Sequence, residues 1–205
     1  LGWNKFAQGG INEYGLFFDG ATTPKQILPE GYTDPKGRNE GDELLAYCKN
    51  VQEALDYLEK EKIAISEGHL FLGDTTGYAV IAEWVEGKRI VHEIQHHRLI
   101  ATNTILCDTT GLKNCYRFQK IEEGLQKLDT MSVSLNLKTV GQVIAGAVQP
   151  PRPDSTGRTG GTLYTNFICW QTGELIFIYR LDNTKKFQWS LKEWNYTKRR
   201  KCYLS

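Results

Sequence analysis

The sequence has no long apolar run. Its longest ones, such as residues 175–179 (LIFIY), fall far short of the roughly 20 residues that cross a bilayer, which excludes a membrane-spanning helix and predicts a soluble chain. Net charge is also nearly absent: 25 Lys and Arg stand against 24 Asp and Glu. Without a basic excess there is no electrostatic case for a nucleic-acid partner. Cysteine is scarce and unpatterned. Cys48, Cys107, Cys115, Cys169 and Cys202 are odd in number and lack C-x-x-C or Cys/His ligand spacing, so neither a disulfide framework nor a zinc site is indicated. Most are expected to be buried thiols. No H-E-x-x-H, G-x-S-x-G or P-loop pattern occurs, and no metal or other cofactor is expected. Internal repeats and low-complexity segments are missing too. No basic segment followed by an apolar stretch opens the chain, so no signal peptide is read, and cytoplasmic and exported locations both stay open.

What is present suits a folded core. Of 205 residues, 40% are hydrophobic, with five Trp, ten Tyr and eight Phe. A chain of this length buries roughly 70% of its unfolded surface. At roughly 150 residues per domain, one domain over 1–205 is expected. The stretch 11–19 (INEYGLFFD) reads as a strand introduced by Gly9-Gly10. Residues 21–42, with three of the six prolines, read as a long loop. From Asp42, apolar residues recur three and four apart through Leu58, which predicts a single helix ending near Lys62.

Four strand-like runs follow, at 69–73, 78–85, 89–93 and 99–103. Short Gly-containing links at 74–77 and 86–88 join the first three as hairpins, giving an antiparallel meander. Residues 116–128 and 139–148 read as helices. The prolines Pro150, Pro151 and Pro153 end that region, and 163–170 with 174–179 form a last hairpin around 171–173. Strand clusters separated by a helix pair predict an α+β layered fold, not a parallel βαβ sheet.

The candidate chemical groups are few. His96 and His97 adjoin on a strand or turn with side chains directed apart, and read as a surface pair. His69 and His92 sit in strands without a motif. Arg152 and Arg158 flank a Pro/Gly loop where an anion contact and plain solvation both fit. The basic 198–201 cluster reads as a solvated end. Asn103, a polar residue closing an apolar run, fits two roles: an N–H donor to a developing oxyanion, or a side chain capping a turn.

Five segments, in order, add a resemblance. GGINEYGL at 9–16 is similar to the G-G-M-N-E-K-G-L strand entry of the choloylglycine hydrolase and penicillin acylase group of linear-amide hydrolases. HLFLGD at 69–74 with 78–83 resembles the hairpin that this group shares with its acyltransferase relatives. Ala101-Thr102-Asn103 resembles the T-N after it, Tyr116-Arg117-Phe118 the S-R-F opening a helix, and TLYT at 162–165 a T-x-Y-S strand.

The resemblance implies the four-layer αββα sandwich of N-terminal-nucleophile hydrolases, with the N-terminal part missing here. It also implies cleavage of a non-peptide amide through an acyl-enzyme on an N-terminal Cys whose α-amino group handles the proton. Residue by residue, it makes Asn103 an oxyanion-hole donor and Arg117 an active-site arginine. The segment around Phe18-Asp19 corresponds to one contributing a second oxyanion donor, where Asp19 departs from the family's Asn or Tyr. Phe17 and Phe18 are candidate walls for an apolar acyl group.

The family's nucleophilic Cys lies roughly 60 residues upstream of the N-E-x-G-L motif, whereas residue 1 here is Leu. A chain lacking its N-terminal segment is therefore expected. The implied function is a hydrolase of carbon–nitrogen bonds in linear amides, bile-salt-like or penicillin-like. An acyltransferase of the same family and a catalytically inactive small-molecule-binding paralogue are the alternatives. The implied partner is a small acyl-amide, with a homo-oligomer left open.

Overall fold

The aromatic run at 11–19 reads as one strand, yet in the computed structural model the chain folds back on itself there. The structure describes residues 8–35, 39–131, 135–153, 157, 159–162, 164–179 and 186–193. Strand β1 (Gly9–Ile11) ends at Asn12, and β2 (Phe17–Thr22) returns antiparallel, pairing Gly10 with Phe18 and Ile11 with Phe17. Asn12 causes the reversal. Its Oδ1 accepts from the N–H groups of Tyr14 (3.1 Å) and Leu16 (3.0 Å), and Gly15 takes the positive φ of 86° that the tight turn requires.

The single helix expected from 42 to 62 is two: α1 (Glu40–Tyr47) and α2 (Val51–Lys60). Asn50 breaks the run by capping α2, its side chain accepting from the Glu53 N–H. Asn12 holds the break from the other side, its Nδ2 donating to the carbonyls of Leu45 (2.9 Å) and Cys48 (2.7 Å). The Val51 N–H at the start of α2 donates to the Asp74 carboxylate at 3.0 Å.

Strands β3 (Gly68–Gly73), β4 (Ala79–Val85) and β5 (Lys88–Glu93) complete a five-stranded antiparallel sheet in the order β1-β2-β3-β4-β5, the meander the glycine-containing links predict. One face packs beneath α1 and α2. There Phe18, Leu70, Leu72, Val80, Ala82 and Trp84 meet Leu44, Val51, Ala54 and Leu58 in one core. Gly41 of α1 lies against Phe18 so closely that a Cβ there would stand 2.1 Å from the ring. By strand alternation the opposite face carries Phe17, Asp19, His69, Phe71, Ile81, Glu83 and His92.

The fourth strand-like run, 99–103, is not a strand. His96 and His97 form a tight turn with positive φ (49° and 61°), closed by a bridge between Gln95 and Arg98. Beyond it the chain leaves the sheet edge and crosses the second face, where the Leu106 N–H reaches Glu83. A short helix α3 (Thr109–Asn114), capped by Asp108, follows.

The chain divides into two compact units at Cys115/Tyr116, and the elements above all belong to the first. In the second, helices α4 (Tyr116–Thr130) and α5 (Leu137–Ala145) pack closely at Gly124, where an added Cβ would meet Val143 at 2.7 Å. Asn136 and Thr139 form a reciprocal capping box at the start of α5. A two-stranded ribbon, β6 (Arg152–Pro153) with β7 (Thr159–Gly160), precedes the expected hairpin β8 (Tyr164–Cys169) and β9 (Glu174–Tyr179). Strand β10 (Lys186–Ser190), not anticipated from the sequence, extends that sheet in the order β10-β9-β8. Among the described residues no helix is long and apolar enough to cross a membrane.

Candidate active site

On the second face of the five-stranded sheet, polar groups sit among aromatic rings. Phe17 and Phe71 meet edge to face with centroids 6.1 Å apart. Asp19, directly opposite Phe71 in the ladder, is half-buried there and accepts a hydrogen bond from the Gly20 N–H at 2.8 Å. Burial outweighs that bond and pushes the Asp19 carboxyl up to about 6. A carboxyl poised near neutrality can hold or release a proton at working pH. Phe18 points the other way, into the core under α1, so of the two phenylalanines only Phe17 shares a face with Asp19.

Asn103 lies on the crossing segment at the far end of β2, exposed, with its Nδ2 donating to the Thr22 carbonyl at 2.7 Å. Asn103 thus touches β2 at Thr22, three residues along the strand from Asp19. Arg117 occupies the first turn of α4 in the second unit, half-buried and engaged. Arg158, residues 198–201 and Cys202 lie outside the described residues. Arg152 is exposed on β6, and His96 and His97 are exposed in their turn.

A second polar cluster escaped the sequence reading. Glu83, fully buried on β4, holds His69 Nδ1 at 3.0 Å through one carboxylate oxygen and His92 Nε2 at 2.9 Å through the other. The Leu106 N–H donates to both oxygens, at 2.8 and 3.1 Å. Burial by itself raises the Glu83 carboxyl, but the hydrogen bonds from His69, His92 and Leu106 outweigh it and hold the group at about 2. Cys107 Sγ stands 3.7 Å from the same His92 nitrogen. The signal lay in the hairpin register: with Leu70 opposite Ala82, His69 must face Glu83.

The cysteines differ from the expectation that most are buried. Only Cys48 is buried among the described ones; Cys107 is exposed, and Cys115 and Cys169 are intermediate. Burial pushes the Cys48 thiol up to about 11 and raises that of Cys107 as well. Hydrogen bonding to Thr172 lowers the thiol of Cys169. An open cleft of about 810 Å³ lies in the second unit between α5 and the β8–β10 sheet, with Leu137, Phe167, Ile176 and Ile178 in its wall and no histidine or cysteine among the described residues that line it.

The fold is that of the N-terminal-nucleophile hydrolases, the class that the motif resemblance implies. Similar solved structures include penicillin V acylase from Agrobacterium tumefaciens, at 18% identity and a TM-score of 0.68 over 94% of this chain and 68% of that one. A mutant form of conjugated bile acid hydrolase from Clostridium perfringens matches at 17% identity and a TM-score of 0.66, covering 92% of this chain and 73% of its own. A second variant of that hydrolase gives 16%, 0.65, 92% and 74% respectively. No protein-family model matches the sequence, and no curated protein does.

Proposed function

We propose that this chain supplies the scaffold and oxyanion-stabilising groups of a hydrolase that cleaves the carbon–nitrogen bond of a small linear acyl-amide. The observation that carries this reading is the fold: over more than nine-tenths of its length the chain is similar to a penicillin V acylase and a conjugated bile acid hydrolase. The family-like motifs at Asn12, Asn103 and Arg117 support it from the sequence side.

In this reading the acyl-enzyme forms on a cysteine other than the described ones. Cys48 is sealed in the core and its thiol is raised, Cys107 shares its nearest imidazole nitrogen with a carboxylate, and Cys169 Sγ is engaged by Thr172. In this reading none of these three is the nucleophile, which needs a base placed to take its proton. Asn103 donates to the oxyanion of the tetrahedral intermediate, Arg117 orients substrate or nucleophile, and Asp19 with Phe17 lines the acyl side. The single domain over 1–205 belongs to the same proposal.

The test is a substrate panel run on the protein carrying an N-terminal cysteine segment: penicillin V, glycine- and taurine-conjugated bile acids, and N-acyl amines. Release of free amine that depends on that cysteine supports the hydrolase. Acyl transfer to an added amine in preference to water would make it an acyltransferase. Saturable binding without turnover would make it a binding paralogue.

A further inference from the structure

Glu83, His92 and Cys107 come from three separate segments, β4, β5 and the crossing segment before α3, yet one ligand atom of each lies within 4.8 Å of the other two. A nucleophile relay does not explain this geometry. A Cys-His-carboxylate relay uses the two imidazole nitrogens separately, one toward the thiol and one toward the carboxylate. Here Glu83 Oε2, at 2.9 Å, and Cys107 Sγ, at 3.7 Å, both approach the same atom, His92 Nε2. Three donor atoms converging on one point are the arrangement a cation needs.

We propose that Glu83 Oε2, His92 Nε2 and Cys107 Sγ bind a divalent transition metal, Zn²⁺ by preference, as a three-ligand site with an open fourth position. A tetrahedral Zn²⁺ with bonds of ~2.0 Å to N and O and ~2.3 Å to S separates its ligand atoms by ~3.3 Å for N–O and ~3.5 Å for N–S. The two separations from His92 Nε2, 2.9 Å to Glu83 Oε2 and 3.7 Å to Cys107 Sγ, differ from these by a few tenths of an ångström, and all three atoms lie within 4.8 Å of one another. Thiolate and imidazole donors select Zn²⁺, or Co²⁺ as its substitute, over Ca²⁺ and Mg²⁺.

The surroundings suit a metal site. The other carboxylate oxygen of Glu83 is held by His69 Nδ1, itself 1% exposed, which fixes the ligand's orientation as a supporting shell does. Cys107 is exposed, giving the ion a path in. On binding, the Cys107 thiol proton leaves to solvent as the metal–sulfur bond forms. Neutral His92 binds through its Nε2 lone pair with its proton on Nδ1, and Glu83 Oε2 exchanges its bond from His92 for the metal. The ion would pin the crossing segment, including Asn103 four residues before Cys107, to the sheet. This site stands independently of the hydrolase reading.

The experiment is a Co²⁺ titration of the reduced chain, followed by absorption. One saturating equivalent is expected, with a thiolate-to-cobalt charge-transfer band that Zn²⁺ displaces. Cys107→Ser, a change at an exposed position, should abolish the band while circular dichroism stays native. His92→Ala should weaken Zn²⁺ affinity at least 10-fold. Absence of a saturable band, or a band that survives Cys107→Ser because another cysteine is the ligand, would overturn the proposal.

Discussion

Replacing Asn12 by Ala should cost a large share of the first unit's stability. The carboxamide makes four hydrogen bonds: Nδ2 to the carbonyls of Leu45 and Cys48, and Oδ1 from the N–H groups of Tyr14 and Leu16. At about 1 kcal/mol net per bond, and more for the buried Leu16 N–H and Cys48 carbonyl left without a partner, the loss comes to roughly 3–5 kcal/mol. That is a large part of the roughly 5–15 kcal/mol that stabilises a domain. Urea unfolding reads it directly as a lower midpoint with an unchanged m value.

Asn12→Asp separates the two halves of the amide. It keeps the acceptor for Tyr14 and Leu16 but sets a carboxylate oxygen against two carbonyls, which disfavours the charged form in the folded state. A carboxyl raised in this way is best tolerated at low pH, and its stability falls as pH rises through the folded value. Asn12→Asp should therefore be least stable at neutral pH and recover on acidification, when its O–H donates to one carbonyl. A loss below about 1 kcal/mol for Asn12→Ala, or an Asp variant indifferent to pH, would refute the role given to this side chain.

The raised Asp19 carboxyl, about 6 folded against 3.8 for the ordinary group, favours the folded state below pH 3.8. Stability should thus fall by at most about 3 kcal/mol as pH rises from 4 to 7, and Asp19→Asn should flatten that part of the profile in chemical denaturation. Gly41→Ala should cost about 1–3 kcal/mol by overpacking Phe18, part of it recovered in the double variant with Phe18→Leu; additive losses would count against the contact. In the form carrying the N-terminal cysteine segment, Asn103→Ala should lower kcat by about 10²–10³ with little change in KM. Full kcat with a lower Tm would leave Asn103 a structural role, which its bond to Thr22 already gives it. Arg117→Lys in the same form should fail as Arg117→Ala does, because an ammonium lacks the planar fork, and unchanged kinetics in both would return Arg117 to a helix-surface role.

Sequence alone determined what is local in the chain. The β3–β4–β5 meander follows from short apolar, β-branched and aromatic runs and from turns whose chemistry is written in adjacent positions, such as Gly77 and Gly87, both at positive φ. Helices α4 and α5 and the β8–β9 hairpin were legible for the same reason, and the ordered motifs carried the fold class. Tertiary structure decided what depends on partners far along the chain. The break between α1 and α2, which Asn50 caps, and the turn after β1 are tied together by the Asn12 amide, whose acceptors lie 33 and 36 residues away. No helical periodicity contains that information. Run 99–103 has strand-like composition, but the chain crosses the sheet face there, held by distant partners: Asn103 donates to the Thr22 carbonyl and the Leu106 N–H to Glu83. Asp19 and Phe18, neighbours in sequence, part to opposite faces, one into half-buried polar ground and one into the core. Cys107 has no ligand spacing along the chain, and only the register of β4 and β5 and the crossing segment set its sulfur beside His92. A side chain's chemistry is fixed by its residue type, but its partners and burial are fixed by which distant backbone the fold brings to it.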